Sequence, residues 1–393
     1  MEERNALLKG WVKGVLGADC LLEPASGDAS FRRYWRARLD GRPVALEPVD
    51  GVILGLEVPG GEHTVELSYL PQGFLPGLLW AVASAVLLGW GVARGRRAPR
   101  SGWSAEDLES VSCLLCGSAP PARGGYQLPP FRAVRCPECG FWYLTPRLRE
   151  ASMLDAYRSG EYFEGVTGLG YSSYLAQEPT LRLTFQRALD ELARRGLTGG
   201  RLLEIGCAYG FFLDEAEGRF AARVGTDFSA EAAERAHGRA DRIHLGGLEA
   251  LENEDPFDLI AVIHVIEHIY DPRTMVASLA EHLRPGGALL LATPDMGGFW
   301  RPLLGRFWPF IKTPEHVSFF DRHTLTRLLE LEGFVEVETF PYHSVFSFHL
   351  VAEKLGLRLP DFARRWNLIL PATTAAVIGR RPRGEGTSPA VAP

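Results

Sequence analysis

RLLEIGCAYG, residues 201–210, followed by VGTDFS, residues 224–229, decides the fold of this chain. Apolar residues run straight into Glu204-Ile-Gly206, the turn closes at Gly210, and FFLDEAEGR (211–219) reads as a helix. Strand, glycine turn and helix in that order form the first unit of a doubly wound α/β domain, which binds its ligand at the carboxyl ends of the strands. A second strand, Ala222–Gly225, leads to Asp227, at the distance where such folds set a carboxylate on ribose hydroxyls. A dinucleotide site needs a third glycine and a helix N-terminus facing a pyrophosphate. Glu204, two residues before the first glycine, would repel that group. It suits a ligand carrying an ammonium and a sulfonium, and S-adenosylmethionine (SAM) fits better than NAD.

Downstream the alternation is regular. The pattern predicts strands at about Ile243–Leu245, Phe257–Ile263, ALLLATP (288–294), VEVETF (335–340) and Ala372–Ile378. Helices are expected over 272–283, ended by RPGG, and over Arg322–Leu331. LLEIGCAYG, VGTDFS, HVIEHIYDP (264–272) and HLRPGGALLLATP (282–294) together resemble the class I SAM-dependent methyltransferases over about residues 197–381. One departure is Ala208, where many members have glycine. The resemblance implies a seven-stranded Rossmann-like sheet, with Glu204 and Gly206 at the methionine end of the cofactor and Gly210 among the residues that bind it. It also implies Asp227 on the ribose, Phe228 on the adenine face, Leu248 and Glu249 near adenine, and His264 on the methionine side.

Methyl transfer asks a protein mainly to position the acceptor and remove its proton. Glu267 and His268 follow the fourth strand, where ubiquinone-type O-methyltransferases have a Glu-x-x-Glu-His run able to hold a divalent metal. His264 stands at the first position here, so His264, Glu267 and His268 are either metal ligands or hydrogen-bonded structural residues. TPEHVSFFDRHTLTRLLELEGF (313–334) resembles the acceptor side of zinc-containing sugar C-methyltransferases, whose Tyr-x-x-His pair acts near the substrate carbon; Thr313 replaces the tyrosine. His316, expected to titrate near neutrality, is the best general base in the chain, the alternative being a capping or core residue. Phe299, Trp300, Phe307, Trp308 and Phe310 form an acceptor pocket or an interfacial patch.

Upstream, four of the six cysteines form two CxxC pairs, Cys113/Cys116 and Cys136/Cys139, each followed by glycine. Such double knuckles predict a closed tetrahedral Zn²⁺ site with no position for substrate, a structural zinc ribbon over residues 113–147 in a reducing compartment. Residues 148–196 read as a helical cap, in which Tyr162, Phe163, Tyr171 and Tyr174 either close over a cofactor or pack helices. Residues 95–112 read as a linker, and 382–393 as a disordered tail.

The first hundred residues are of another kind. Residues 1–42 open on an amphipathic helix and continue with SGDASFRRY, which resembles the start of aminoglycoside-phosphotransferase-type sugar kinases, but no metal-binding phosphate chemistry follows. Residues 43–72 alternate like short strands, and Phe74–Ala93, inside the 73–94 segment, carries no charge over about 20 residues, enough to cross a bilayer. Arginines 94, 96, 97 and 100 follow at once, which puts the C-terminal side in the cytoplasm. This piece resembles the C-terminal end of YfhO-type bacterial membrane proteins and implies a single-pass inner-membrane location.

The expected partners are a small acceptor (a sugar, sugar nucleotide or envelope intermediate) and the membrane. A net charge of −6 argues against nucleic acid. The rivals are a non-catalytic scaffold built on the ribbon and anchor, and a nucleic-acid methyltransferase.

Overall fold

The computed structural model describes residues 103–153, 174–354 and 366–383, together with five strands nearer the N-terminus. The chain divides into two compact units, Met1–Val86 and Leu87–Pro393. In the first, β1 (Trp35–Leu39) pairs antiparallel with both β2 (Arg42–Val44) and β5 (Val65–Tyr69). The remaining strands there, β3 (Glu47–Val49) and β4 (Ile53–Gly55), pair with each other. The sheet thus joins the two stretches that sequence resemblance divides at residue 42. No helix among the described residues is long and apolar enough to cross a membrane. The expected N-terminal helix, the uncharged span 74–93, Tyr162, Phe163 and Tyr171 lie outside the described residues.

The second unit opens with β6 (Leu108–Glu109), β7 (Tyr126–Leu128), β8 (Phe131–Arg135), β9 (Trp142–Leu144) and β10 (Arg147–Leu148). Helix α1 (Glu178–Arg194) follows, with Pro179 in its first turn and Phe185, Ala188, Leu189 and Leu192 on its buried face. The sheet strands and helices then alternate: β11 (Gly199–Ile205), α2 (Phe211–Glu215), β12 (Phe220–Asp227), α3 (Ala230–Ala236), β13 (Arg242–Leu245), β14 (Phe257–Ile263), α4 (Pro272–His282) and β15 (Leu283–Pro294). After them come α5 (Trp300–Leu304), β16 (Ser318–Phe319), α6 (Arg322–Leu331), β17 (Val335–Thr339), β18 (Val345–Ser347), α7 (Phe348–Lys354), β19 (Asn367–Ile369) and β20 (Thr374–Arg380).

Seven strands form one sheet in the order β13-β12-β11-β14-β15-β20-β17. The first five run parallel and β20 is antiparallel to both its neighbours. Alternate residues face opposite ways, as strand geometry requires. Leu203, Ile260, Val262, Leu289 and Leu291 join a core with Val276 and Leu279 of α4 and Leu325, Leu328 and Leu329 of α6. Leu202, Leu259, Ala261, Leu290 and Ile378 join a second core with Phe185 and Leu189 of α1 and Phe212 of α2. Near-continuous apolar strands are what a sheet buried on both faces needs.

Two local expectations are corrected. The helix after Gly210 spans only Phe211–Glu215, because the chain turns through Gly218 at φ 71° before β12. Strand β15 begins at Leu283 rather than Ala288: Leu283 pairs with Phe257, Arg284–Gly287 bulge out, and pairing resumes at Leu259↔Ala288. Gly286 (φ 82°) permits that bulge.

The four-cysteine module packs on the α4/α6 face, where Leu115, Phe141 and Tyr143 share a core with Phe320 and Leu325. Its sheet has the order β16-β9-β8-β7, so its edge strand comes from the half that carries the seven-stranded sheet, with Ser318 opposite Tyr143 and Phe319 opposite Trp142. A third core binds Phe131, Leu144 and Leu148 to Tyr270, Trp308, Ile311, Val317 and Phe319.

Candidate active site

The crevice at the carboxyl ends of β11 and β12 is built by three left-handed residues, Gly206 (φ 68°), Ala208 (φ 47°) and Gly210 (φ 74°). A Cβ on Gly206 would stand 2.5 Å from Val265 Cγ2, so close approach as well as dihedral angle demands glycine there. Ala208 keeps the strained conformation that glycine would adopt freely. Asp227 locks the turn, its Oδ2 accepting from Ala208 N–H at 2.8 Å and its Oδ1 from Ser229 N–H at 2.8 Å. Ser229 in turn caps α3.

Glu204 is 4% exposed, and its Oε2 is buried without a hydrogen-bond partner. Burial, and then the charge of Asp227, pushes its pKa well above the ordinary carboxylate value. Burial also raises Asp227, opposed by the amides of Ser229 and Ala208. Both carboxylates bear on the buried thiol of Cys207, whose pKa is raised first by burial and then by Glu204 and Asp227. Two acids and an orphaned oxygen around one turn make a site that a cation would relieve.

On the next strand, Phe228 is 62% exposed and lies over Gly247, where a Cβ would stand 2.8 Å from its Cζ. Leu248 packs partly into the core, and Glu249 Oε1 accepts from Gly247 N–H at 2.7 Å, so Glu249 shapes its own turn. Tyr174 is buried, stacked on Phe211 with ring centres 5.5 Å apart and edge-on to Tyr209 at 5.1 Å.

A second cluster of polar groups gathers at the ends of β14 and β15. His264 takes φ 55°, its ring edge-on to Tyr342, with Nδ1 3.4 Å from Glu267 Oε1. Glu267, 2% exposed, accepts from Thr293 Oγ1 at 2.8 Å. Burial pushes its pKa up, but the hydrogen bond to His264 and positive charge on His264, His268 and His316 outweigh that and hold it at about 2. Because burial disfavours charge on His268 and His316, His264 is the partner that keeps Glu267 ionised.

His316 donates Nδ1–H to Phe310 O at 2.8 Å, and His268 donates Nδ1–H to Glu315 O at 3.1 Å. Carbonyls only accept, so both neutral rings present Nε2 as a lone pair. The rings meet at right angles, 4.7 Å apart. Burial lowers the His268 pKa and lowers that of His316 well below 6.5, which corrects the expectation of a base titrating near neutrality. Ligand atoms of Glu267, His268 and His316 lie within 4.8 Å of one another. The sequence trio had His264 in place of His316. The upstream aromatics divide: Trp308 is buried beside Phe310, while Phe299 is 52% exposed.

Away from this crevice, Cys113, Cys116, Cys136 and Cys139 bring four sulfurs within 4.8 Å of one another. Cys113 Sγ is 3.4 Å from Cys139 Sγ, and Cys116 Sγ is 3.5 Å from Cys136 Sγ, beyond disulfide length. Gly117 N–H donates to Cys113 O and Gly140 N–H to Cys136 O, repeating one knuckle twice at φ 75° and 76°. Burial raises the Cys139 thiol to about 11, whereas Cys116, despite burial, is drawn down to about 6, with Ser118 foremost among its hydrogen-bond partners. The four thiols could hold one metal ion. Tyr143 Oη, buried without a partner beside the cysteines, is a further polar atom at that centre.

Sequence reasoning passed over Thr293, Arg147 and Tyr270. Only Thr293 carried a signal, as a polar residue in the otherwise apolar ALLLATP.

Residues 177–339 match the family model of a methyltransferase domain. Over 149 residues the chain is 34% identical to the ubiquinone biosynthesis O-methyltransferase of Xylella fastidiosa strain 9a5c, covering 35% of this chain and 60% of that protein. Over 135 residues it is 34% identical to the mitochondrial ubiquinone biosynthesis O-methyltransferase of Schizosaccharomyces pombe, covering 32% and 46%. The chain thus spans about half the length of these relatives. A SAM-dependent methyltransferase structure from Thermotoga maritima aligns with TM-score 0.39 and 22% identity over 53% of this chain and 92% of that one. Residues 177–339 are thus similar to a methyltransferase domain, carried on a Rossmann-like α/β sheet.

Proposed function

We propose that the protein transfers the SAM methyl group to a small-molecule acceptor. The observation that carries this is Glu204, a buried carboxylate with an orphaned oxygen beside Asp227 at the glycine turn. Glu204 would meet the ammonium, Asp227 the ribose hydroxyls, and the exposed Phe228 ring the adenine. Gly206 and Gly210 let the backbone come close, and His264, Leu248 and Glu249 border the pocket. SAM supplies a methyl on a sulfonium, and the chain's own groups do the rest. His316 Nε2, or His268 beside it, takes the acceptor's proton as the acceptor atom attacks, and Glu267 steadies the positive charge that then forms on the imidazole. Four cysteines in two matching knuckles suit structural Zn²⁺.

The acceptor we favour is a sugar, sugar nucleotide or cell-envelope intermediate, methylated on oxygen or carbon, at the inner face of a bacterial membrane. The uncharged stretch 74–93 with arginines behind it supports the location. The relatives' printed name supports attack by oxygen. A second reading, metal-assisted O-methylation, is favoured by the convergence of Glu267, His268 and His316, which would hold the ion.

Calorimetry with SAM on the full chain and on Asp227→Ala tests the cofactor assignment: binding should be lost in the variant, and equal affinity would remove Asp227 from the site. Labelled SAM offered with envelope sugars and with quinol precursors then separates the acceptors.

A further inference from the structure

The geometry points to Arg147, in the four-cysteine module, as a positioning residue for the His268–His316 pair. The inference rests on the reading above only in taking that pair as the acceptor-side groups.

Arg147 is 7% exposed. Its Nε pairs with Glu109 at 2.8 Å, its Nη1 donates to Tyr270 O at 3.1 Å, and its guanidinium lies 4.2 Å from the Tyr270 ring centre. Tyr270 Oη donates back to Leu148 O at 2.8 Å. The two residues of β10, Arg147 and Leu148, therefore hold Tyr270 at its backbone, its ring and its hydroxyl. Tyr270 stands two residues after His268, between the short turn Ile266–His268 and the α4 cap Asp271, so little slack separates the clasp from the imidazole.

The same module grips the other histidine. Leu144 N–H donates to Val317 O at 2.9 Å, and β9 pairs with β16, which begins two residues after His316. Val317 N–H in turn donates to Glu267 O at 3.0 Å. Residues 142–148 thus hold both segments that carry the paired imidazoles.

A buried ion pair is weak support for stability, since apolar replacements often serve as well. Arg147 makes sense instead as a fork joining three partners in fixed geometry, which an apolar side chain would not do.

The test uses full-length protein labelled with ¹⁵N-histidine. The His268 and His316 signals are assigned by comparison with His268→Gln and His316→Gln. In wild type, both rings should show a protected Nδ1–H and a single tautomer. In Arg147→Met, the His268 Nδ1–H should lose at least tenfold in exchange protection, while metal content and SAM affinity stay within twofold. Tyr270→Phe, which removes only the Oη contact, should shift the same signals by less; it decides the matter if Arg147→Met does not fold. Histidine spectra like wild type in the folded variants would overturn the inference. Failure of wild type to bind SAM would instead strike the proposed function and leave this readout intact.

Discussion

Replacing Glu204 by Gln should weaken SAM binding and stabilise the ligand-free protein. Truncating one partner of a buried, hydrogen-bonded charge pair costs about 2–5 kcal/mol of affinity, roughly 30- to 5,000-fold in Kd. The stability effect has the opposite sign. Burial and then Asp227 raise the Glu204 pKa above its unfolded value. Between the unfolded and folded values the native chain holds a proton that the unfolded chain has released, so wild-type stability falls as pH rises through that window. Glutamine removes this dependence. Near pH 4.5, where the wild-type carboxyl is protonated in the fold, the two proteins should melt together. At pH 8 the variant, which never has to hold that proton or bury that charge, should gain about 1.4 kcal/mol for each pH unit of the window already crossed, with Tm rising roughly 2–4 °C for each kcal/mol. Calorimetry with SAM and thermal melts at the two pH values measure both effects. A Kd changed by less than threefold, or a Tm difference independent of pH, would refute the reasoning.

Further outcomes are expected at His316, Cys136 and Gly206. With its pKa lowered well below 6.5, His316 stays unprotonated through neutrality, so methyl transfer should show no falling limb from this residue between pH 6.5 and 8. His316→Gln should lower kcat by roughly 10²–10⁴-fold while SAM affinity holds, and a wild-type rate titrating at 6.5 would contradict the burial argument. Metal analysis of the full chain should show loss of about one Zn²⁺ on Cys136→Ser, and a folded wild type without metal would remove the centre. Gly206→Ala, which puts a Cβ 2.5 Å from Val265 Cγ2 at a positive φ, should cost about 1–3 kcal/mol and lower SAM affinity, read by melting and calorimetry.

Much of the fold was legible because its signals are local. Leu202–Ile205, Phe257–Ile263 and Leu289–Ala292 are runs apolar but for Glu204 and Asp258, and such runs declare a doubly covered sheet without help from distant residues. The turn that brings Glu204, Gly206 and Asp227 together was legible for the same reason, since these residues are fixed by their own strand ends. The histidine cluster was legible only in part. Spacing put His264 with Glu267, and its Nδ1 does lie 3.4 Å from Glu267 Oε1, but the third member of the metal-capable trio, His316, comes from a distant segment. Arg147 and Tyr270 are ordinary in sequence, and their meaning comes from a contact across 123 positions. Burial, equally invisible to spacing, moved His316 away from neutrality.

The strand that β16 lends to the cysteine module has a consequence for biosynthesis. Tyr143 leaves the ribosome about 175 residues before its cross-strand neighbour Ser318, a wait of roughly 10–35 s at ordinary elongation rates. Throughout that interval the outer edge of β9 lacks its native mate, and bare edges of this kind invite pairing with neighbouring nascent chains. Ser318 and Phe319 end that exposure when they arrive, so crowded polysomes are where this protein is most open to aggregation.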